Sequence, residues 1–171
     1  MPGGASSPTY LIHPINLTSH LHFHIEDGAT VAGVKNLSAW PLIEGAPGYG
    51  QGRDHPNTNK GYDPTSDGRR FTSLLHGEHL SDVKISGEGP GSVLDGQGDY
   101  WWAMHRSGIE NNTRGHLVEL MYSTDVELSN LTLKNSPFWT THFCEYKPFF
   151  RSDFVCASYL LFAIPMLPAC R

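Results

Sequence analysis

Apolar and polar positions alternate in three stretches of the chain: "SHLHFHI" (19–25), "SDVKISG" (81–87) and "TDVELSN" (124–130). A period of two predicts strands with one buried face. That face is carried by Leu21, Phe23 and Ile25, by Val83 and Ile85, and by Val126 and Leu128. Each stretch runs into a turn of small or polar residues, "EDGA", "SGEGPG" or "SN". A second apolar segment then begins at Val31, at Val93-Leu94 or at Leu131/Leu133. The second and third copies start at Ser81 and Thr124, 43 residues apart.

Two architectures give strand–turn–strand units of this size. In a hairpin the second strand folds back on the first, and Asn-Gly or Asp-Gly is the best turn; "SN" is a poor match and "SGEGPG" is long. In a parallel β-helix the chain only turns a corner and then stacks on the equivalent strand one coil later. Repeats of this length belong to such solenoids, and 43 residues would hold two coils. Asn130 at a corner would suit an amide ladder between coils. The expected fold is therefore all-β, a parallel β-helix, with a β-sandwich as the alternative. Helix signals are weak before the final segment. Residues 36–70, dense in Gly, Pro, Asn and Asp, read as a long loop extruded from one coil. Such a loop either shapes a binding face or is a plain surface excursion.

Composition sharpens this picture modestly. The chain has 171 residues, 39% hydrophobic and 17% charged, with 18 Gly and 12 Pro, which suits a turn-rich β domain. A net charge of −5 gives no basic footprint for nucleic acid. Arg53, Lys60, Arg69 and Arg70 gather locally, but Asp54, Asp63 and Asp67 sit among them, and the mixture reads as a solvated loop. Cys144, Cys156 and Cys170 have no metal-like spacing. The start lacks a basic segment followed by an apolar one, so no signal peptide is expected. Sequons at Asn16, Asn36, Asn111 and Asn130 would matter only in a secreted chain. The apolar run from Phe154 to Cys170 is 17 residues long and broken by Pro165 and Pro168, too short for a membrane span.

Two stretches invite chemical readings. "DGQGD" places Asp95 and Asp99 beside Tyr100, Trp101 and Trp102, which could be an acid/base pair next to sugar-stacking rings. The structural alternative, which we favour, is a turn whose glycines take φ > 0, with the tryptophans packed on the coil. "HLHFH" puts His20, His22 and His24 on one strand face, where two could share a zinc ion if a third ligand converged. Alternation instead buries Leu21 and Phe23 and turns the histidines to solvent.

Four ordered blocks carry a more specific signal: "PINLTSHLHFHIEDGATVAG" (14–33), "WPLIEGAPGYGQGR" (40–53), "RFTSLLHGEHLSDVKISGEGPGSVLDGQGDYWW" (70–102) and "HLVELMYSTDVELSNLTLKNSPFWTTHF" (116–143). Together they resemble the N-terminal half of plant-type polygalacturonases, the family 28 glycoside hydrolases. The resemblance implies a right-handed parallel β-helix, inverting hydrolysis of α-1,4-galacturonan in pectin, and an extracellular, cell-wall location. It does not extend to residues 144–171, so the expected organisation is a partial, truncated β-helix over 1–143 followed by a divergent tail. The family's chemistry rests on Asn-Thr-Asp, a paired Asp-Asp, Gly-His-Gly and Arg-Ile-Lys motifs. None is present; Ser123-Thr124-Asp125 comes nearest to the first and lies in a different block. Inverting hydrolysis needs one carboxylic acid for the leaving oxygen and a second carboxylate for water.

The expectation is thus a polygalacturonase-like chain without catalytic residues, with substrate-binding residues unassigned, no metal and no cofactor. His116 and His142 fall in the blocks without inheriting a role. The alternative is a non-catalytic module that binds pectin or protein through the 36–70 loop, Arg69 and Arg70, and the Trp101/Trp102 region. No nucleic-acid or membrane partner is expected, and an uncapped solenoid end would favour self-association.

Overall fold

The alternating stretches become hydrogen-bonded neighbours in the computed structural model, which describes residues 7–45, 68–110, 112–144 and 150–157. Strand β1 (Thr9–Ile12) lies one level before the first described full coil, which comprises β2 (Ile15–Asn16), β3 (Leu21–Ile25) and β4 (Thr30–Gly33); β1 stacks in parallel on β4. A single 3-10 turn (Leu37–Ala39) follows, capped by the Asn36 side chain, which accepts from the Ser38 amide at 3.1 Å. Then β5 (Leu42–Glu44) pairs antiparallel with β6 (Arg69–Phe71); most of the expected loop between them, residues 46–67, lies outside the described residues. The second coil is β7 (Leu75–Glu78), β8 (Ser81–Gly87) and β9 (Val93–Asp95), followed by α1 (Gly98–Ser107). The third is β10 (Val118–Met121) and β11 (Thr124–Lys134), and β12 (Thr141–Cys144) and β13 (Phe150–Ala157) stack on them as the next coil.

Strands from successive coils stack in parallel, β2-β7-β10-β12 on one face and β3-β8-β11 and β4-β9-β11 on two others. Strand β11 serves both of the latter because it bends at Asn130, whose φ is 53°. This is a right-handed parallel β-helix. The inward rungs run as the alternation requires. Leu21, Val83 and Val126 share one register position and Phe23, Ile85 and Leu128 the next, and the core also takes Leu75, Val118, Leu94 and Leu133.

Several details differ from the sequence expectation. The 43-residue period is one coil rather than two, since β8 and β11 are direct neighbours; α1 and the chain after it enlarge that coil. The Asn130 corner forms, but the previous coil offers Gly87 there instead of an amide ladder. A Cβ on Gly87 would lie 2.5 Å from the Asn130 carbonyl oxygen and 2.4 Å from Ser92 Cβ. The "DGQGD" turn is structural, but its φ > 0 residue is Gln97, at 56°, and not a glycine. Gly98 is needed for packing, because a Cβ there would meet the Ser136 carbonyl at 2.3 Å.

Helix α1 follows from that turn. Asp99 lies in its first turn and His105 and Arg106 in its last, matching the helix dipole, and Gly108 closes it at φ 69°. Its Trp101 is fully buried, edge-on to Trp40 at 4.7 Å and to Phe71 at 5.1 Å, and so pins the helix to the coil. Within 144–171, β13 pairs parallel with β11, carrying strand pairing beyond residue 143. No described helix is long and apolar enough to cross a membrane.

Candidate functional site

On β10, Val118 and Leu120 point into the core, so Glu119 points the opposite way. The strand register then does the assembling. His76 of β7 and His142 of β12 occupy the positions beside Glu119 on the neighbouring coils. Arg70 reaches in from β6, while Ser73 and His116 come from the segments leading into β7 and β10. Closed over in this way, Glu119 is 0% exposed.

Its two oxygens have different company. Oε2 accepts from Arg70 Nη1 at 2.9 Å and Ser73 Oγ at 2.9 Å, and lies 3.0 Å from His76 Nδ1. Oε1 is 2.6 Å from His142 Nδ1 and 3.9 Å from His116 Nε2. Ser73 Oγ also accepts from the His116 amide at 3.0 Å, which fixes the approach to β10. Burial opposes the Glu119 charge, but hydrogen bonds from His142 and His76 and the nearby Arg70 outweigh it and hold the carboxyl well below its ordinary range. Burial pushes His116 down to about 3 against the pull of Glu119, so that ring is neutral.

Aromatic groups border the cluster. His116 stacks on Phe138 at 5.5 Å and leans on Trp139 at 5.2 Å. The Arg114 guanidinium lies 3.8 Å from the Trp102 ring centroid and 4.8 Å from that of Phe138, and its Nη1 donates to the Pro137 carbonyl at 2.8 Å. Trp102, Phe138 and Trp139 are half-buried.

The residues singled out from the sequence separate clearly. Asp95 is buried, accepts from the Gln97 amide at 2.8 Å and faces Lys134 at 3.7 Å; Asp99 is exposed and pairs with Asn135 across 3.4 Å. His20, His22 and His24 face solvent as alternation requires. His22 and His24 both reach Ser86 Oγ, at 2.7 and 3.0 Å, while His20 meets Asp82 at 3.0 Å. Arg69 is exposed, but Arg70 is not the solvated loop residue expected: it is 3% exposed and ion-paired with Glu119. Trp101 is core rather than a binding surface. Arg53 and Lys60 lie outside the described residues.

The Glu119 cluster is what the sequence reading missed, because its members are spread from Arg70 to His142. One signal was available: the 43-residue offset that aligns Ser81 with Thr124 also aligns His76 with Glu119.

Three-sided coils of parallel strands, carrying a polar ladder outside an aliphatic core, define a right-handed single-chain β-helix protein. Comparison then gives the family: the sequence profile of glycosyl hydrolases family 28 matches residues 55–157, and the chain belongs to that family. A probable polygalacturonase of Vitis vinifera is 39% identical over 133 residues, which is 78% of this chain and 24% of that protein. The chain thus spans about a quarter of that relative's length. Among solved structures, an exopolygalacturonase from Thermotoga maritima superposes with a TM-score of 0.60 at 16% identity, over 88% of this chain and 37% of that one. The polygalacturonase from Erwinia carotovora ssp. carotovora gives 0.55 at 22% identity, over 90% and 38%.

Proposed function

We propose that this chain derives from the pectin-directed chemistry of its family, hydrolysis of α-1,4-galacturonan in carbohydrate metabolism of the cell wall, and does not itself perform the cleavage. The state of its buried carboxylates carries the reading. Both oxygens of Glu119 are occupied by its own cluster, Asp95 is tied into a turn, and Glu110 lies 3.2 Å from His105 Nδ1. None of these is an acid and a water-activating base facing each other across a sugar. An extracellular location belongs to the same reading, as does a coil stack that corresponds to the N-terminal portion of the family's solenoid. Purified chain incubated with polygalacturonate is expected to release no reducing ends; turnover that co-purifies with the protein would refute the proposal.

A second reading, a non-catalytic pectin-binding module, is favoured by the half-buried Trp102, Phe138 and Trp139 beside Arg114. Flat rings suit sugar faces, and the buried Arg114 guanidinium braces Trp102 and Phe138 from behind. The binding surface is then centred on Trp102 rather than on Trp101 and Arg70, which the core and Glu119 occupy. Calorimetry with oligogalacturonides should show binding that Trp102→Ala weakens at least tenfold. Heat no different from buffer would eliminate this reading.

A further inference from the structure

The donor atoms of His116, Glu119 and His142 all lie within 4.8 Å of one another, and all three residues are buried. Zinc-class ions take imidazole nitrogen and carboxylate oxygen at about 2.0–2.2 Å, which sets tetrahedral ligand atoms about 3.4 Å apart. The two separations at Glu119 Oε1, 2.6 Å to His142 Nδ1 and 3.9 Å to His116 Nε2, bracket that spacing. Small opposite movements of the two rings would equalise them. The other oxygen is fully engaged by Arg70, Ser73 and His76, which orients the carboxylate and leaves Oε1 as the ligand atom. His116 strengthens the case: its Nε2 stands beyond hydrogen-bond reach of Oε1, and its buried Nδ1 has no hydrogen-bond partner. An ion at Nε2 would leave that Nδ1 carrying the ring proton, so it is the position of Nε2 near Oε1 that bears on the site.

We propose that Glu119 Oε1, His116 Nε2 and His142 Nδ1 form a binding site for a first-row divalent transition ion, which clips two consecutive coils of the solenoid together. Two imidazoles and one carboxylate suit zinc or cobalt and do not suit calcium or magnesium, which require oxygen-rich shells. Coordination through Nδ1 uses the His142 tautomer that carries its proton on Nε2. Arg70 repels the ion through the carboxylate and lowers affinity, but it bonds to the other oxygen and does not block Oε1. The coordinating residues sit on β10, on the segment entering it and on β12, so the ion would replace the single Glu119–His142 contact with a three-residue link across the strand pair.

The test uses the full chain, stripped with a chelator and titrated with Co2+. Tetrahedral visible absorption bands should saturate at about one equivalent, and the melting temperature should rise with added Co2+. His116→Ala and His142→Ala should each abolish the bands, whereas the His22→Ala/His24→Ala double variant should retain them. Absence of bands in folded wild-type protein would overturn the proposal, as would bands that survive both cluster variants. If the cluster variants do not fold, the hyperfine-shifted imidazole resonances of cobalt-loaded wild-type protein decide. Assignment to His116 and His142 supports the site, and assignment to His22 and His24 refutes it.

Discussion

Two groups of histidines in this molecule obey opposite rules. His20, His22 and His24 alternate within five residues, His20 just before β3 and the other two on it, yet they face solvent and reach Asp82 and Ser86 by hydrogen bonds. His76, His116 and His142 lie far apart in sequence, yet they converge on one buried carboxylate. Closeness in sequence places side chains on a face, whereas closeness in register places them on each other. In a stacked solenoid the second relation is the stronger, because each coil delivers its residue to nearly the same spot on the one below.

The largest effect should come from removing the centre of the buried group. Glu119→Ala leaves the Arg70 guanidinium buried without its counter-charge, a loss of about 3–5 kcal/mol. Urea denaturation should show it as a lower midpoint with the slope unchanged. A drop below about 1 kcal/mol would mean that the cluster is not held as described.

Acid should have an intermediate effect, measured on metal-free protein. Glu119 and His116 ionise near 4.5 and 6.5 outside the fold, and folding lowers both. Stability supplied by a carboxyl with a lowered pKa is complete above 4.5 and is lost as pH falls toward the folded value. His116 is neutral when folded and gains a proton when unfolded, so acid favours unfolding from about 6.5 down to about 3. His76, His142 and Arg70 face the same carboxylate. Stability should therefore decline as pH drops from 6.5, and His116→Phe should flatten the first part of that decline. A profile that stays level down to pH 5 in the wild type would contradict the neutral, buried ring.

The exposed group should give the smallest effect. His22→Ala and His24→Ala should each shift stability by less than about 0.5 kcal/mol, because solvent replaces the Ser86 contacts. Thermal melts would detect a larger loss, and one comparable with that of Glu119→Ala would erase the contrast.

The same distinction explains what the sequence could reveal. Alternation exposed the inward residues of β3, β8 and β11, and the register bears out Leu21 with Val83 and Phe23 with Ile85. It could not show that 43 residues make a single coil, because α1 is held by Trp101 packing on Trp40 and Phe71 rather than by its own amphipathic pattern. Nor could it show Arg70 leaving its charged surroundings to pair with Glu119, since local composition says nothing about a partner 49 residues away. Glu119 itself read as one polar residue in "HLVELM". Only the stack reveals that its neighbours are His76 and His142.

The antiparallel join of β5 and β6 sets Glu44 beside Arg69, so the chain leaves and re-enters the coil at one place. Doubling the length of a tethered excursion costs only about 0.6 kcal/mol in closure entropy. This position is accordingly where a lineage can vary length and composition most cheaply, and where an inserted epitope or reporter should leave the spiral intact.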